Sequence, residues 1–523
     1  MTGRQAGKDI NMRKTINFNK NWRFILEDRE CFSRTDADES AFRTLNLPHD
    51  WSVDYAPEEK EKTGGGGGYG KSGIGWYRKH FTLENISEGE KLYLYFEGIY
   101  MDSTVYVNGK EAGGHGFYVD VTELVREGEN VAAVRVKNDL VPNSRWYSGS
   151  GIYRDVYLVR TNEIHFDHFG VRCATNGIYP KQDTALLQIR AQVVNDGGTA
   201  GNVGVLHKIY DRDGKLVSTS GIALYLEPGE SSDCMVRPTV ESPHLWTDED
   251  PYLYTLVSTV VSDGRELDSF ACKTGIRTAV FDSDQGFLLN GETVKIKGMC
   301  VHHDCGLTGA VGYRESWERR LKELKDMGCN GIRCSHNPPA PVLLDLCDEL
   351  GFLVMDEAFD EWLLAKNKMD NYYSENLAYG SSMFFTNHAK EDLTAMLRRD
   401  YNHPSVVIWS IGNEIPEQSS VDGVKILKFL QDICHQEDSS RMVTSACDNI
   451  AAVEPIRTLR EFENALDVVG YNYVGRWRER AETFYEEDRK EYPERRMIGT
   501  ENPSAGGIRG DYSQEGWFGN YAT

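Results

Sequence analysis

VVIWSIGNE (406–414) is an apolar run of strand length that ends on an asparagine and a glutamate. A strand that is apolar on both faces is buried on both faces, which calls for a parallel sheet with helices above and below. The same grammar continues outward. TVKIKGMCVHH (293–303), CNGIRCSH (329–336) and GFLVMDEA (351–358) precede the run, and RMVTSAC (441–447), LDVVGYNY (466–473) and RMIGTEN (496–502) follow it. Helical patterns alternate with them: ESWERRLKELKDMG (315–328), PAPVLLDLCDELG (339–351), HAKEDLTAMLRRD (388–400) and GVKILKFLQDICHQE (423–437). Seven strands with crossovers and no dinucleotide fingerprint predict a (β/α)₈ TIM barrel rather than a doubly wound sheet. From Asn290 the chain has 234 residues, against about 250 in a typical barrel. The expectation is a barrel truncated before its eighth strand.

Upstream the pattern is different. GWYRKHFTL (75–83), KLYLYFEG (91–98), STVYVNGK (103–110) and NVAAVRVKN (130–138) alternate with a period of two and carry a hairpin signal at Asn108-Gly109, so residues 1–161 read as an antiparallel β-sandwich. A second set comprises ALLQIRAQVVNDG (185–197), NVGVLHKIYDRDG (202–214), GIALYLEPG (221–229) and YLYTLVSTVVSDG (252–264). It predicts an immunoglobulin-like sandwich over 162–276, leaving 277–523 to the barrel. Three domains suit 523 residues, at about 100–200 residues per domain.

The chain carries 81 acidic against 58 basic side chains, a net charge of −23, and its mean field repels nucleic acid and anionic membranes. No run approaches the about 18 apolar residues of a membrane span. Residues 1–24 contain no apolar signal core, and Met12 is a second candidate start. Eleven cysteines, several inside apolar runs, fit buried thiols in a reducing compartment, so a cytoplasmic protein is expected. GGGGYGKS (65–72) matches the phosphate-loop spacing. That loop works only between a strand and a helix, whereas here a strand pattern follows, so a mobile glycine-rich surface loop is expected.

Chemistry in such barrels sits at the C-terminal ends of the strands. Glu414 and Glu501 each end an apolar run, and two carboxylates facing one bond are the minimum equipment for glycoside hydrolysis. Around them lie His302, His303 and Asp304; Arg333, His336 and Asn337; Asp356, Glu357, Asp360 and Glu361; Asn413; and Asn472 and Tyr473. Such a ring of donors and acceptors suits a polyhydroxylated ligand. For Arg333 a structural pairing with a neighbouring carboxylate is the competing reading, and for Asp356 and Glu357 a role as loop anchors. His302, His303, Asp304 and His336 lack a zinc-binding spacing, so no metal is expected from them.

LPHDW (47–51), FEGIYMDSTVYVNGK (96–110), SRWYSGSGIYRDVYL (144–158), KGMCVHHDCG (297–306), NGIRCSHNPP (330–339), MDEAFDEW (355–362), NHPSVVIWSIGNE (402–414) and IGTEN (498–502) together resemble glycoside hydrolase family 2. That family comprises β-galactosidases, β-glucuronidases and β-mannosidases. The resemblance implies an N-terminal jelly-roll sugar-binding domain, an immunoglobulin-like sandwich and a catalytic barrel. It implies Glu414 as general acid/base and Glu501 as nucleophile of a retaining mechanism. It also implies Asn413 on the sugar 2-hydroxyl, Tyr473 positioning the nucleophile, and Arg333, His336 and Asp304 in substrate binding. HHDCG and DEAFDEW look most like the smaller bacterial β-galactosidases, so hydrolysis of terminal β-D-galactose is the expected activity. The alternatives are a β-glucuronidase, or a truncated, inactive carbohydrate-binding protein. The substrate would be a β-linked oligosaccharide or glycoside, and a homo-oligomer is an open expectation from the family. No cofactor is expected. The resemblance raises a magnesium site at Glu361, but Leu363 stands where its histidine ligand would be.

Overall fold

The computed structural model describes residues 13–113, 118–368, 379–477 and 479–502. The stretches expected as the N-terminal lead and as the loop after the seventh strand, 1–12 and 503–523, lie outside them.

The barrel strands are β1 (Gly298–Val301), β2 (Gly331–Cys334), β3 (Leu353–Glu357), β4 (Val406–Asn413), β5 (Met442–Cys447), β6 (Val468–Asn472) and β7 (Met497–Glu501). They form one sheet in sequence order, every neighbouring pair parallel. β2 to β6 are buried almost throughout, as strands covered on both faces must be. Among the described residues no eighth strand joins β7 to β1, so the barrel is nearly closed and one strand short. The two edges nevertheless face each other, because the Cys300 thiol of β1 reaches the Thr500 carbonyl of β7 at 3.4 Å. The first strand is shorter than its apolar run suggested. Glu292–Thr293 instead completes a three-stranded hairpin sheet with Ala279–Asp282 and Gly286–Leu289. Phe281, Phe287 and Leu289 of that sheet pack with Leu353, Met355, Val407, Ile408 and Val468 from the strand starts, plugging the end of the barrel opposite the strand exits.

Among the described residues six helices cover the sheet: α1 (Arg314–Asp326), α2 (Pro341–Leu350), α3 (Ser382–Asp400), α4 (Val421–Glu437), α5 (Arg460–Ala465) and α6 (Arg480–Glu491). α2 shows the usual start and stop signals. Pro341 opens it, where no backbone donor is needed, and Gly351 ends it in the left-handed region at φ 72°. The sequence patterns indicated α1 to α4 but missed α5 and α6. α5 is only six residues long, and α6 is so charged that Asp488 is its buried residue, leaving no apolar stripe to read.

The first sandwich pairs a four-stranded sheet (Lys14–Asn17, Val156–Thr161, Lys91–Phe96, Tyr118–Asp120) with a six-stranded one (Arg43–Leu45, Trp22–Ile25, Gly73–Leu83, Gly128–Asn138, Asp102–Val107, Lys110–Gly113). Trp22, Phe24, Trp51, Leu94, Phe96 and Val134 fill the space between them. Asn108 and Gly109, at φ 52° and 79°, make the two-residue turn between the strands ending at Val107 and starting at Lys110. The glycine-rich 65–72 stretch is a series of turns that leads into the strand Gly73–Leu83 and not a helix, so it lacks the phosphate-loop context. The second sandwich has two four-stranded antiparallel sheets, and its strand Thr184–Asn195 alternates buried and half-buried residues along its whole length. All eleven cysteines are free, and no described helix is long and apolar enough to cross a membrane.

Candidate active site

Glu414 follows β4 and Tyr473 follows β6, and both backbones sit in the left-handed region, at φ 47° and 58°. A non-glycine residue there costs about 1–3 kcal/mol, and tertiary bonds hold both in place. The Glu414 amide donates to the Ala446 carbonyl at 2.7 Å, and the Tyr473 amide to the Glu501 carbonyl at 2.9 Å. Glu501 is the last residue of β7. Between the two glutamates stands Asn472, whose side-chain carbonyl accepts from the Thr500 hydroxyl at 2.6 Å. Its amide donates to Glu414 Oε1 at 3.0 Å and to Glu501 Oε2 at 3.4 Å. Laid end to end, the 3.0 and 3.4 Å contacts put those two oxygens at most 6.4 Å apart. The Tyr473 hydroxyl donates to Glu501 Oε1 at 2.8 Å. Burial and the charges of Glu414 and Glu501 push that phenol far above its ordinary range, so it remains a donor.

Arg333, from β2, is buried and ties three strand ends together. It donates to both Glu357 oxygens at 2.8–3.1 Å, to Glu501 Oε2 at 2.9 Å and to Asn413 Oδ1 at 2.8 Å. Glu357 also accepts from His336 Nδ1 at 2.7 Å and from the Ser410 hydroxyl at 2.6 Å. Burial alone would push the Glu357 carboxyl up, but the Arg333 charge and these bonds bring it down to about 2.

The other half of the site is shared with the jelly roll. Arg145 donates to Asp360 at 2.9 and 3.2 Å and reaches Glu414 Oε2 at 3.4 and 3.5 Å. Asp360 also accepts from Lys366 Nζ and from the Asn413 amide, each at 2.8 Å. Despite its burial, Asp360 is held far below the carboxylate range by Lys366 and Arg145. Burial likewise raises Glu414, and Arg145, Lys366, Tyr473 and Asn472 outweigh it, so Glu414 is ionised at neutral pH. Trp146 places its ring 5.3 Å from His302 and 5.4 Å from His336, and its buried indole N–H has no acceptor among the described residues.

Of the residues anticipated from the sequence, Glu414, Glu501, Arg333, His336, Asn413 and Tyr473 thus meet at one mouth. Asp304 stands beside it without a hydrogen bond to any of them. Its carbonyl accepts from Arg320 at 2.7 Å, and its carboxylate acts through space on Tyr147 and His302. Asp356 points away. Neighbouring residues on a strand face opposite sides, so Glu357 enters the barrel while Asp356 is buried beside Asp400 of α3, where burial and the Asp400 charge push its carboxyl far up. His303 faces the jelly roll, against the Ser148 carbonyl at 3.2 Å and the Tyr153 ring. Arg145, Trp146 and Lys366 were missed. The Arg-Trp pair inside SRWYSGSG was the available signal.

Glu361 does not suit magnesium. Its carboxylate accepts from Lys368 Nζ at 2.7 Å and from the Lys366 and Ser382 amides at 3.0 and 3.1 Å, while Leu363 points to solvent. Among the described residues no group of three His, Cys, Asp or Glu side chains is arranged to hold a metal ion.

Three family models match in succession: "Glycosyl hydrolases family 2, sugar binding domain" over 68–162, "Glycosyl hydrolases family 2" over 172–277, and "Glycosyl hydrolases family 2, TIM barrel domain" over 280–512. With a mouth of paired glutamates on a barrel preceded by these two sandwiches, the chain belongs to glycosyl hydrolase family 2. It is similar to a β-galactosidase of Bacteroides ovatus, 38% identical across 89% of this chain and 57% of that protein. A family 2 member from Bacteroides cellulosilyticus superposes with a TM-score of 0.85 at 35% identity, over 93% of this chain and 61% of that one. A β-glucuronidase of Bacteroides uniformis gives 0.78 at 26% identity, over 93% and 59%. The chain therefore spans about three fifths of the length of these relatives.

Proposed function

We propose that the protein is a retaining exo-β-glycosidase that removes a terminal β-linked hexose by double displacement. The observation that carries this reading is the Asn472 amide shared by Glu414 and Glu501, which keeps their nearest oxygens within 6.4 Å. Retention needs carboxyl groups about 5–5.5 Å apart, and inversion about 6.5–9.5 Å; one amide reaching both carboxylates supports the closer spacing. In the first step a Glu501 oxygen attacks the anomeric carbon while protonated Glu414 gives its proton to the departing glycosidic oxygen. In the second, Glu414, now a carboxylate, takes a proton from water as that water displaces Glu501, and the β configuration returns. Arg333 and Tyr473 hold Glu501 from two sides, which fixes its line of attack. Asn413, oriented by Arg333 and Asp360, is read as the donor to the sugar 2-hydroxyl. Arg145 and Trp146 supply the jelly roll's share of the pocket.

Relatives are named both β-galactosidase and β-glucuronidase, and the latter naming moves the balance away from the galactoside that the strand-end motifs suggested. A β-glucuronide is therefore the first substrate to try, with the β-galactoside as second reading on the strength of HHDCG and DEAFDEW. Nitrophenyl β-glucuronide and β-galactoside assayed side by side separate the two, and proton NMR of the first-formed anomer tests retention. Sugar binding with no turnover of either substrate would point to an inactive binding protein, and an α-anomer as first product would exclude double displacement.

A further inference from the structure

Glu414 is faced by charged or titratable groups from every side: Arg145 from the jelly roll, Asp360 and Lys366 from the segment after β3, Asp448 from the end of β5, Tyr473 after β6, and Glu501 across the mouth. Two of these are cations. Lys366 Nζ is spent on Asp360 at 2.8 Å and on the Asn413 carbonyl at 2.6 Å, so it acts on Glu414 only through space. Among the described residues Arg145 alone brings a charged N–H to Glu414, and its grip is lopsided. It is firm on Asp360 at 2.9 Å and stretched toward Glu414 at 3.4–3.5 Å. A guanidinium anchored in this way can keep Asp360 while its contact with Glu414 opens.

The jelly roll holds the Arg145 backbone in place. Asn143 donates to Asn138 at 2.7 Å, and the Tyr147 hydroxyl and the Ser150 amide both donate to Asp50. The glycine-rich stretch lies against it, since a Cβ on Gly66 would come within 3.3 Å of the Arg145 carbonyl carbon and oxygen. The close approach explains one of the glycines in GGGGYG.

Resting on the acid/base reading of Glu414 above, we propose that Arg145 is a positioning residue that keeps Glu414 a carboxylate between turnovers and releases it when a leaving-group oxygen arrives. One domain thereby sets the proton state of another domain's acid/base. As the substrate oxygen takes the guanidinium's place beside Glu414, the carboxylate gains a proton from solvent. It passes that proton to the leaving oxygen as the C–O bond breaks and recovers one from the attacking water. Product departure restores the contact with Arg145.

The test is the pH profile of kcat/KM with a nitrophenyl glycoside that the wild type turns over. Free-enzyme Glu414 must be protonated for the first step, so its ionisation sets the basic limb. A cation next to a carboxylate favours the charged form, and removing it shifts that limb to higher pH by about one unit. Arg145→Ala is expected to show this shift and Arg145→Lys much less of it. Should Arg145→Ala fail to fold, Arg145→Gln keeps the length without the charge and is expected to shift likewise. A basic limb that stays put in the neutral variants, or moves as far in Arg145→Lys, overturns the proposal. Glu414→Ala keeps the two readings apart. If its loss of rate is no smaller for a dinitrophenyl than for a nitrophenyl leaving group, the acid/base assignment fails, whatever Arg145 does.

Discussion

Both sandwiches bury the inner faces of two antiparallel sheets, yet they meet the barrel at opposite ends. The jelly roll sends Arg145 and Trp146 into the mouth, and its Arg154 donates to the Pro338 and Pro339 carbonyls just past β2. The immunoglobulin-like domain touches the far end. The Trp246 indole donates to the Asp348 carbonyl of α2 at 3.0 Å, Arg277, the first residue after that domain, donates to the Pro404 and Val406 carbonyls at the start of β4, and Arg172 pairs with Glu437 of α4 at 2.6 Å. The same architecture is thus used once to shape chemistry and once to brace the scaffold, the difference being which ends of the barrel strands it faces.

The contrast can be pressed by substitution. Arg333→Met, which cuts the centre of the mouth itself, is expected to lose about 10³-fold or more in kcat/KM. It should also cost about 3–5 kcal/mol of stability, because Glu357 stays buried without its guanidinium; urea melts and initial rates measure both. Trp246→Ala, at the brace, is expected to cost about 3–5 kcal/mol of stability and to leave kcat within about twofold on the fraction still folded. A fall in kcat comparable to that of Arg333→Met would erase the distinction between the domains. Trp146→Phe deletes an indole N–H that no group among the described residues accepts. It should leave thermal stability level while raising KM about tenfold, the value of one bond made only to substrate; an unchanged KM would remove Trp146 from the sugar's surroundings.

The smallest expected effect is an acid sensitivity of the brace. His207, inside the second sandwich, bonds Ser258 at 2.8 Å through one nitrogen, and burial holds its ring neutral down to about 4 against an ordinary 6.5. Above pH 6.5 neither state carries the proton. Between 6.5 and 4 only the unfolded chain takes it up, so stability falls over that window by about 1–3 kcal/mol. Unfolding curves of His207→Gln across the same window should lie flatter than those of the wild type.

The sequence displayed Glu414 and Glu501 because an apolar run ending in a carboxylate is a local pattern, legible within nine residues. Arg333 and Asn413 were legible for the same reason. Arg145 was not, because its partners Asp360 and Glu414 lie 215 and 269 positions away, and the Arg-Trp pair in its turn-rich segment does not by itself say which domain the arginine reaches. Asp356 and Glu357 looked alike in sequence, and only the side of the sheet each faces separated a buried outward acid from the partner of Arg333. β1 was overextended because Val294 and Ile296 are as apolar as a barrel strand demands, yet they pack with the hairpin plug.

Asp50, in the LPHDW segment, accepts from the Ser52 and Ser150 amides of its own domain, from the Tyr147 hydroxyl, and from the Ala310 amide of the barrel at 2.9 Å. A single carboxylate therefore closes the accounts of two folding units at once. Neither could be excised without stranding a donor or a charge at the cut, so the jelly roll and the barrel are expected to melt in one cooperative transition, and limited proteolysis to find no stable fragment boundary between them.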